Sequence, residues 1–152
     1  MIAVQGFYKD GTPYLKIKVS GLDPNTAREF NAVIDTGFDG FMVMPDKQAL
    51  ALGLVGNVSA DIILANASTD PRMMAEGEAT IQSDSRRGMI ILGDDSAEVL
   101  VGMGLLRSFS VILFLSSTMV LVASEAAVAE RAKERGIVEP DPVPPPDDDA
   151  GI

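Results

Sequence analysis

Apolar and polar side chains alternate along most of residues 1–122, a pattern typical of half-buried β-strands. Within residues 14–19, every second side chain is apolar and two of the others are lysines. The turn residues Asp10 and Gly11 precede this strand and predict a β-hairpin with residues 2–8. The remaining predicted strands are residues 29–34, 40–44, 58–64, 74–82, 88–92, 110–115 and 118–122. So many short strands predict a mainly β fold that closes into a barrel.

Two short segments within this region carry helix signals instead. Asp46 can cap a helix over residues 47–52, and Gly53 provides a stop for it. Adjacent leucines at a helical spacing indicate a second short helix over residues 102–107. We therefore expect one or two helices to interrupt the strands.

The C-terminal part has a different composition. Ser124 can cap a helix over residues 125–135, with Gly136 as its stop and with acidic and basic ends that suit the helix dipole. From residue 139 onward the chain has five acidic residues, five prolines and no basic residue. Such a segment cannot bury enough apolar surface to offset its ordering entropy. The predicted organisation is a domain at residues 1–122, a helix at 123–137 and a disordered acidic tail at 138–152.

Charge and composition exclude several classes of partner. The net charge is −10, and the 12 Lys and Arg residues are scattered, so neither nucleic acid nor an anionic membrane surface is an expected partner. The first residues lack the basic and apolar regions of a secretory signal, and the absence of cysteine fits a reducing compartment. These features favour a cytoplasmic location.

The chain contains no histidine and no cysteine, so it cannot build a Ser-His-Asp triad, a Cys-His pair or a zinc site of the usual ligands. The acidic pairs and runs also lack the spacing of a calcium loop, and no cofactor or metal is expected. Hydrolytic chemistry would therefore depend on carboxylates and water. Two carboxylates brought close together in a cleft share one proton, so one can activate water while the other protonates a carbonyl oxygen.

Asp35, Thr36 and Gly37 follow the apolar run at residues 32–34 and are candidates for such a site. Gly37 permits close approach of the backbone, and the Thr36 hydroxyl can hydrogen-bond across to a second loop. A single Asp-Thr-Gly supplies only half of a two-carboxylate site.

Residues 33–41, 50–54 and 101–106 resemble the retropepsin-like aspartic proteases, especially their single-domain bacterial members. The resemblance implies a homodimer that builds one active site from two copies of Asp35, with Thr36 and Gly37 supporting the loop. It also implies that Phe38, Asp39 and Gly40 bind substrate. The segment at residues 100–102 would pack behind the active-site loop.

The sequence differs from retroviral members of that family in three places. Phe38 stands where they have alanine, and its ring can either wall the substrate cleft or fill the core. Residues 102–104 read Gly-Met-Gly instead of Gly-Arg-Asn or Gly-Arg-Asp, so a basic partner for Asp39 is missing unless Arg107 replaces it. The expected flap, at residues 64–74, has no glycine at its tip.

The function that this resemblance implies is that of an aspartic endopeptidase. Two alternatives stay open at the level of sequence. A dimer that keeps the fold without turnover would be a peptide-binding or scaffold module, and an active enzyme could also process its own tail.

Overall fold

The computed structural model describes residues 1–56, 58–95 and 97–136. Strands and short helices alternate along these ranges, and strands predominate. The strands are β1 (Ala3–Gln5), β2 (Phe7–Lys9), β3 (Thr12–Ser20), β4 (Arg28–Ile34), β5 (Met42–Pro45), β6 (Val58–Ile63), β7 (Thr69–Ile81), β8 (Asp84–Gly93), β9 (Leu100–Val101), β10 (Val111–Leu115) and β11 (Val120–Ser124). The helices are α1 (Asp46–Ala51), α2 (Met103–Ser108) and α3 (Glu125–Glu134), with a 3₁₀ turn at Pro24–Thr26. The prediction of a mainly β fold is confirmed.

The strands form two sheets. The larger has the order β2-β3-β4-β9-β5-β8-β7-β6, and β3 also pairs with β7. This additional pairing joins β3, β4, β9, β5, β8 and β7 into a closed ring. The smaller sheet has the order β1-β11-β10 and is antiparallel throughout.

The interior of the ring is filled by aliphatic side chains. Leu15, Ile17 and Val19 are all at most 1% exposed, as their alternation along β3 predicts. They pack in one cluster with residues of β4, β5, β7, β8 and β9 and with Leu105 and Leu106 of α2. The core thus connects the strand that leads to Asp35 with the helix that follows β9.

Residues 2–8 do not form the single strand that the pattern predicts. The chain bends at Gly6, so that β1 and β2 belong to different sheets. Gly6 N donates to Val120 O at 2.9 Å, and a Cβ at this position would lie 2.2 Å from Tyr14 O. The crowding at Gly6 is what divides the predicted strand.

β7 begins at Thr69, five positions earlier than the predicted strand at residues 74–82. Residues 69–73 pair with β6 alone, because the pairing of β7 with β8 extends only as far as Met74. Pro71 is tolerated there because its missing N–H faces no second partner strand. The result is a long hairpin, β6–β7, that extends beyond the ring.

The predicted cap of α1 at Asp46 is wrong. Asp46 lies in the first turn, and the N-cap position is Pro45, which makes no side-chain cap. Asp95 Oδ1 instead accepts a hydrogen bond from Lys47 N at 3.3 Å. The predicted end of this helix agrees with the structure, since Gly53 has a φ of +75°.

Helix α3 begins at the predicted cap. Ser124 Oγ accepts hydrogen bonds from Ala127 N at 3.2 Å and from Ile2 N at 3.1 Å, and Gly136 follows the helix with a φ of +67°. The predicted acidic tail at residues 138–152 lies outside the described residues. None of the helices in the described ranges is long and apolar enough to cross a membrane.

Candidate active site

Asp35 directly follows β4, and the backbone pairing of that strand continues through it. Val33 N donates to Val99 O at 2.8 Å, and Asp35 N donates to Val101 O at 3.0 Å. Asp35 is therefore held on an extended backbone against β9. Its side chain lies on the same face as that of Val33, because residues two apart on a strand point the same way.

The turn after β4 orients the Asp35 carboxylate. Gly37 N donates to Asp35 Oδ1 at 3.0 Å, and Phe38 N donates to Asp35 O at 3.3 Å. A Cβ on Gly37 would lie 3.3 Å from the same Oδ1. Asp35 is half-buried, whereas Thr36 and Gly37 are exposed. One carboxylate oxygen is thus fixed by its own loop, and the Thr36 hydroxyl is accessible to a partner.

Phe38 packs within the loop that follows Asp35 and is only half-buried. A Cβ on Gly40 would lie 2.3 Å from Phe38 Cζ, and a Cβ on Gly102 would lie 2.5 Å from Phe38 Cδ1. The ring therefore lies across two glycines that leave room for it. Phe38 is outside the core cluster, and part of its ring faces the solvent.

The first turn of α2 is bonded through backbone groups to the loop that follows Asp35. Gly102 N, Met103 N and Gly104 N donate to the carbonyl oxygens of Phe41, Phe38 and Gly40, at 3.1, 2.8 and 3.0 Å. The N-terminal amides of a helix have no partner within the helix, so the loop satisfies them. Residues 100–102 thus pack behind the loop, and the Gly-Met-Gly sequence joins the two segments without an Arg or Asn side chain.

Asp39 lies on the surface beside this junction. It is exposed, and among the described residues no Lys or Arg nitrogen pairs with it within 4.0 Å. Arg107 is exposed in the last turn of α2 and does not replace the missing basic partner. The structure therefore brings Asp35, Phe38 and Gly40 together with α2 and leaves Asp39 exposed on the surface beside them.

The β6–β7 hairpin stands where a flap is expected. Its tip is closed by hydrogen bonds from Leu64 N to Ser68 O and from Ala67 N to Leu64 O, both at 2.9 Å. Asn66 Oδ1 accepts from Ser68 N at 3.0 Å and from Ser68 Oγ at 2.6 Å. Ala67 takes the left-handed conformation, with a φ of +63°. An asparagine and a strained alanine thus build the turn that glycine commonly provides.

Charged side chains connect the base of this hairpin to the loop after β8. Arg72 Nη2 lies 2.8 Å from Asp70 Oδ2, and Arg72 Nη1 lies 3.1 Å from Asp94 Oδ1. The hydrogen bond to Asp94 raises the pKa of Arg72. In the described ranges, no group of three or more acidic residues is arranged to hold a metal ion.

A row of side chains beside Asp35 is missing from the sequence-based list of site residues. Strand register pairs Phe7 with Tyr14, Tyr14 with Val33, and Val33 with Leu100. The hairpin signal at residues 10–11 brings the first two together, but no local signal pairs β4 with β9. This row therefore depends on a register that only the structure supplies.

Comparison with solved structures relates this arrangement to known proteins. A retropepsin-like aspartic protease from Rickettsia conorii matches with a TM-score of 0.56 and 15% identity, over 80% of this chain and 90% of that chain. The EIAV protease, solved in complex with the inhibitor HBY-793, matches with a TM-score of 0.53 and 12% identity, over 72% of this chain and 98% of that chain.

The chain has a retropepsin-like fold. No protein-family model matches the sequence, and no curated protein matches it in a sequence comparison. At these identities the two structural matches establish the fold alone. Within the retropepsin-like fold, the assignment of chemistry depends on the residues of the site.

Proposed function

We propose that this retropepsin-like chain is an aspartic endopeptidase that acts as a homodimer on peptide or protein substrates. The observation that carries the proposal is the placement of Asp35, half-buried at the end of a core strand with one oxygen held by Gly37 N. The sequence contains a single Asp-Thr-Gly, so a second copy of the chain must supply the other carboxylate.

The proposed reaction uses the two copies of Asp35 as one acid–base pair. Two carboxyl groups in contact cannot both ionise, so one is protonated and one is charged. The charged carboxylate takes a proton from water as the water oxygen bonds to the peptide carbonyl carbon, and the other carboxyl protonates the carbonyl oxygen. The C–N bond then breaks as the amide nitrogen receives a proton, which releases an acid and an amine.

The smaller sheet offers a surface for the dimer. β10 pairs only with β11 within the described residues, which leaves its other edge open. Ile112 and Phe114 are 45% and 49% exposed on this edge strand. An open apolar edge is a template for pairing with another chain. A two-fold axis beside β10 would join the three strands of each protomer into a six-stranded sheet.

The opposite edge of the smaller sheet is covered. Ala3 N donates to Gln82 Oε1 at 3.0 Å, and Gln82 Nε2 donates to Ala3 O at 3.1 Å. The Gln82 amide therefore occupies the N–H and C=O that Ala3 would offer to another strand. This contrast supports β10 as the edge that a second copy uses.

The β6–β7 hairpin supplies a cover for an extended peptide in the proposed dimer. Ile63 and Leu64 are 76% and 43% exposed near its tip. Apolar side chains at the end of a hairpin can exclude water from a reacting peptide bond, in the manner of mobile flaps.

The deciding experiment compares wild-type protein, Asp35→Asn and Asp46→Asn on a mixed peptide library from about pH 3 to pH 8, with products identified by mass spectrometry. Asp46 is an exposed carboxylate on α1 and provides the matched charge control. We expect cleavage by wild type and Asp46→Asn and none by Asp35→Asn. Equal cleavage by all three proteins would show that Asp35 is not the catalytic group.

A second candidate function is peptide binding without turnover. The exposed Asp39, which has no basic partner within 4.0 Å among the described residues, is the observation that favours it. In that case no library peptide is cleaved, yet wild type and Asp35→Asn retain the same peptides on a column. Cleavage by wild type that is absent in Asp35→Asn excludes it.

A further inference from the structure

Four side chains form a continuous row beside Asp35, on the face of the sheet opposite to the core. Phe7, Tyr14, Val33 and Leu100 occupy paired positions on neighbouring strands, and none belongs to the core cluster. Val33 and Asp35 are two residues apart on one strand, so their Cα atoms are about 7 Å apart and their side chains share a face. We call these four residues the aromatic shelf.

The aromatic shelf is apolar and open at its ends. Tyr14 and Val33 are each 8% exposed in its centre, whereas Phe7 is 40% exposed and Leu100 is half-buried. The rings of Phe7 and Tyr14 are stacked, with centroids 5.3 Å apart and an angle of 6° between their planes. A hydrocarbon chain laid against the exposed parts of Phe7 or Leu100 would be removed from water, which is favourable.

A carboxylate is fixed at the Tyr14 hydroxyl. Tyr14 Oη donates to Glu98 Oε1 at 2.7 Å, and Glu98 is exposed. This hydrogen bond is the largest cause of a raised pKa at Tyr14, and the charge of Asp10 acts in the same direction. The carboxylates of Glu98 and Asp10 thus place negative charge beside the shelf. Among the described residues, no Lys or Arg nitrogen pairs with Glu98 within 4.0 Å.

A carboxylate in this position can still accept further hydrogen bonds. Two oxygens offer about four lone-pair sites, and the Tyr14 hydroxyl uses one of them. A side chain with an apolar stem and a cationic end fits both parts of the surface. The stem would lie against the exposed parts of Phe7 and Leu100, where the Phe7 ring also attracts a cation, and the charged end would meet Glu98.

We propose that the aromatic shelf and Glu98 select a lysine or arginine side chain next to the scissile bond. This inference rests on the proposed peptidase function and specifies the class of substrate. In a symmetric dimer each protomer contributes one shelf, so a preferred substrate has a basic residue on one or both sides of the cleaved bond.

The experiment compares peptides that are identical except at the residue flanking the scissile bond. A cleaved library peptide is resynthesised with lysine, norleucine or glutamate there, and kcat/KM is measured for each. We expect wild type to prefer lysine over norleucine by about tenfold, which corresponds to one well-placed charged contact, and to cleave the glutamate peptide least.

Glu98→Gln tests the charge while it keeps an acceptor for Tyr14. We expect this variant to lose the preference for lysine, so that its kcat/KM values on the lysine and norleucine peptides are about equal. Glu76→Gln, which removes an exposed carboxylate from β7, should keep the wild-type preference. An equal lysine preference in Glu98→Gln and wild type, or no preference in wild type, would overturn the inference.

Failure of the peptidase proposal has a different signature. If wild type cleaves no library peptide, a library peptide with one central lysine and its norleucine counterpart are titrated calorimetrically into wild type and Glu98→Gln, which decides the inference alone. Tighter binding of the lysine peptide that depends on Glu98 supports it. Equal binding of the two peptides, or no binding of either, contradicts it.

Discussion

Gly104 is in direct contact with the backbone of Gly40. Gly104 N donates to Gly40 O at 3.0 Å, and a Cβ on Gly104 would lie 2.8 Å from that oxygen. The neighbouring Gly102 is closer still, since its Cβ would lie 2.3 Å from the same oxygen. The Gly-Met-Gly sequence therefore allows a helix to begin directly against the loop that follows Asp35.

Gly104→Ala tests this contact against helix propensity. Alanine in a helix is favoured over glycine by about 1 kcal/mol, but overpacking costs about 1–3 kcal/mol. Because the oxygen belongs to the backbone and cannot rotate away, we expect a net loss of stability, and a larger loss for Gly102→Ala. Denaturant unfolding measures both. A more stable Gly104→Ala protein would show that the loop is not pressed against α2.

Phe114→Asp tests the proposed dimer edge. A charge at this exposed position on β10 should prevent burial against a second copy, because an unpaired buried carboxylate is costly. We expect a monomer in sedimentation experiments and a matching loss of peptide cleavage. The control is Leu50→Asp on α1, where the wild-type side chain is 64% exposed. If the Phe114→Asp protein still dimerises, the interface lies elsewhere on the surface.

Asp95→Asn tests the carboxylate that caps α1. The hydrogen bond from Lys47 Nζ, at 3.0 Å from Asp95 Oδ2, lowers the pKa of Asp95 from its ordinary 3.8. A group with a lowered folded-state pKa stabilises the protein above its unfolded pKa, and this contribution is lost as the pH falls through the folded value. The thermal midpoint of wild type should therefore exceed that of Asp95→Asn by a constant amount above about pH 4, and the two midpoints should converge below it.

The control for this measurement is Asp61→Asn, which removes an exposed carboxylate from β6. Among the described residues Asp61 makes no salt bridge within 4.0 Å, so this variant shows the effect of removing a surface carboxylate without an ion pair. Asparagine at position 95 can still accept from Lys47 N, so the comparison isolates the charge. Curves for Asp95→Asn and wild type that stay parallel down to about pH 2 would contradict the assignment.

Ser124→Ala tests the junction between β1 and α3. The Ser124 hydroxyl oxygen accepts from both Ile2 N and Ala127 N, and the residue is only 9% exposed. Loss of a cap that also satisfies a buried donor should cost about 1–2 kcal/mol in unfolding free energy. Ser83→Ala, in the exposed turn after β7, should change stability by less than about 0.5 kcal/mol. Equal effects would exclude a special role for Ser124.

Ala67→Gly tests the strained flap tip. A left-handed conformation costs alanine about 1 kcal/mol relative to glycine, so this substitution should slow amide hydrogen exchange at residues 64–68. Ala65→Gly is the matched control. Ala65 is not among the residues with positive φ, so glycine there relieves no strain and only increases the conformational freedom of the unfolded chain. It should leave exchange unchanged or faster. Identical effects at both positions would argue against strain at Ala67.

Local pattern predicted most of the strands because their core faces alternate. Leu15, Ile17 and Val19 are an example, since a strand with one buried face has an apolar side chain at every second position. Local pattern failed where a distant segment decides the outcome. Gly6 divides the first strand because Val120 and the Tyr14 carbonyl lie against it, and Asp95 caps α1 from a loop far along the chain.

The residues of the candidate site were likewise predictable only where the signal is local. Asp35 and its loop are recognisable in sequence because the apolar run before them predicts a buried strand and the glycine permits a tight turn. Glu98 gave no such signal, because its contact with Tyr14 depends on the pairing of β4 with β9. The hydrogen bonds of α2 to the loop also arise from backbone groups, whose partners no side-chain pattern reveals.

The bonding of the loop to the start of α2 also bears on protein synthesis. A ribosome makes Asp35 long before Gly102, and until α2 emerges the carbonyl groups of Phe38, Gly40 and Phe41 lack their native partners. The loop that follows Asp35 therefore gains these hydrogen bonds only when translation has nearly passed through the folded region.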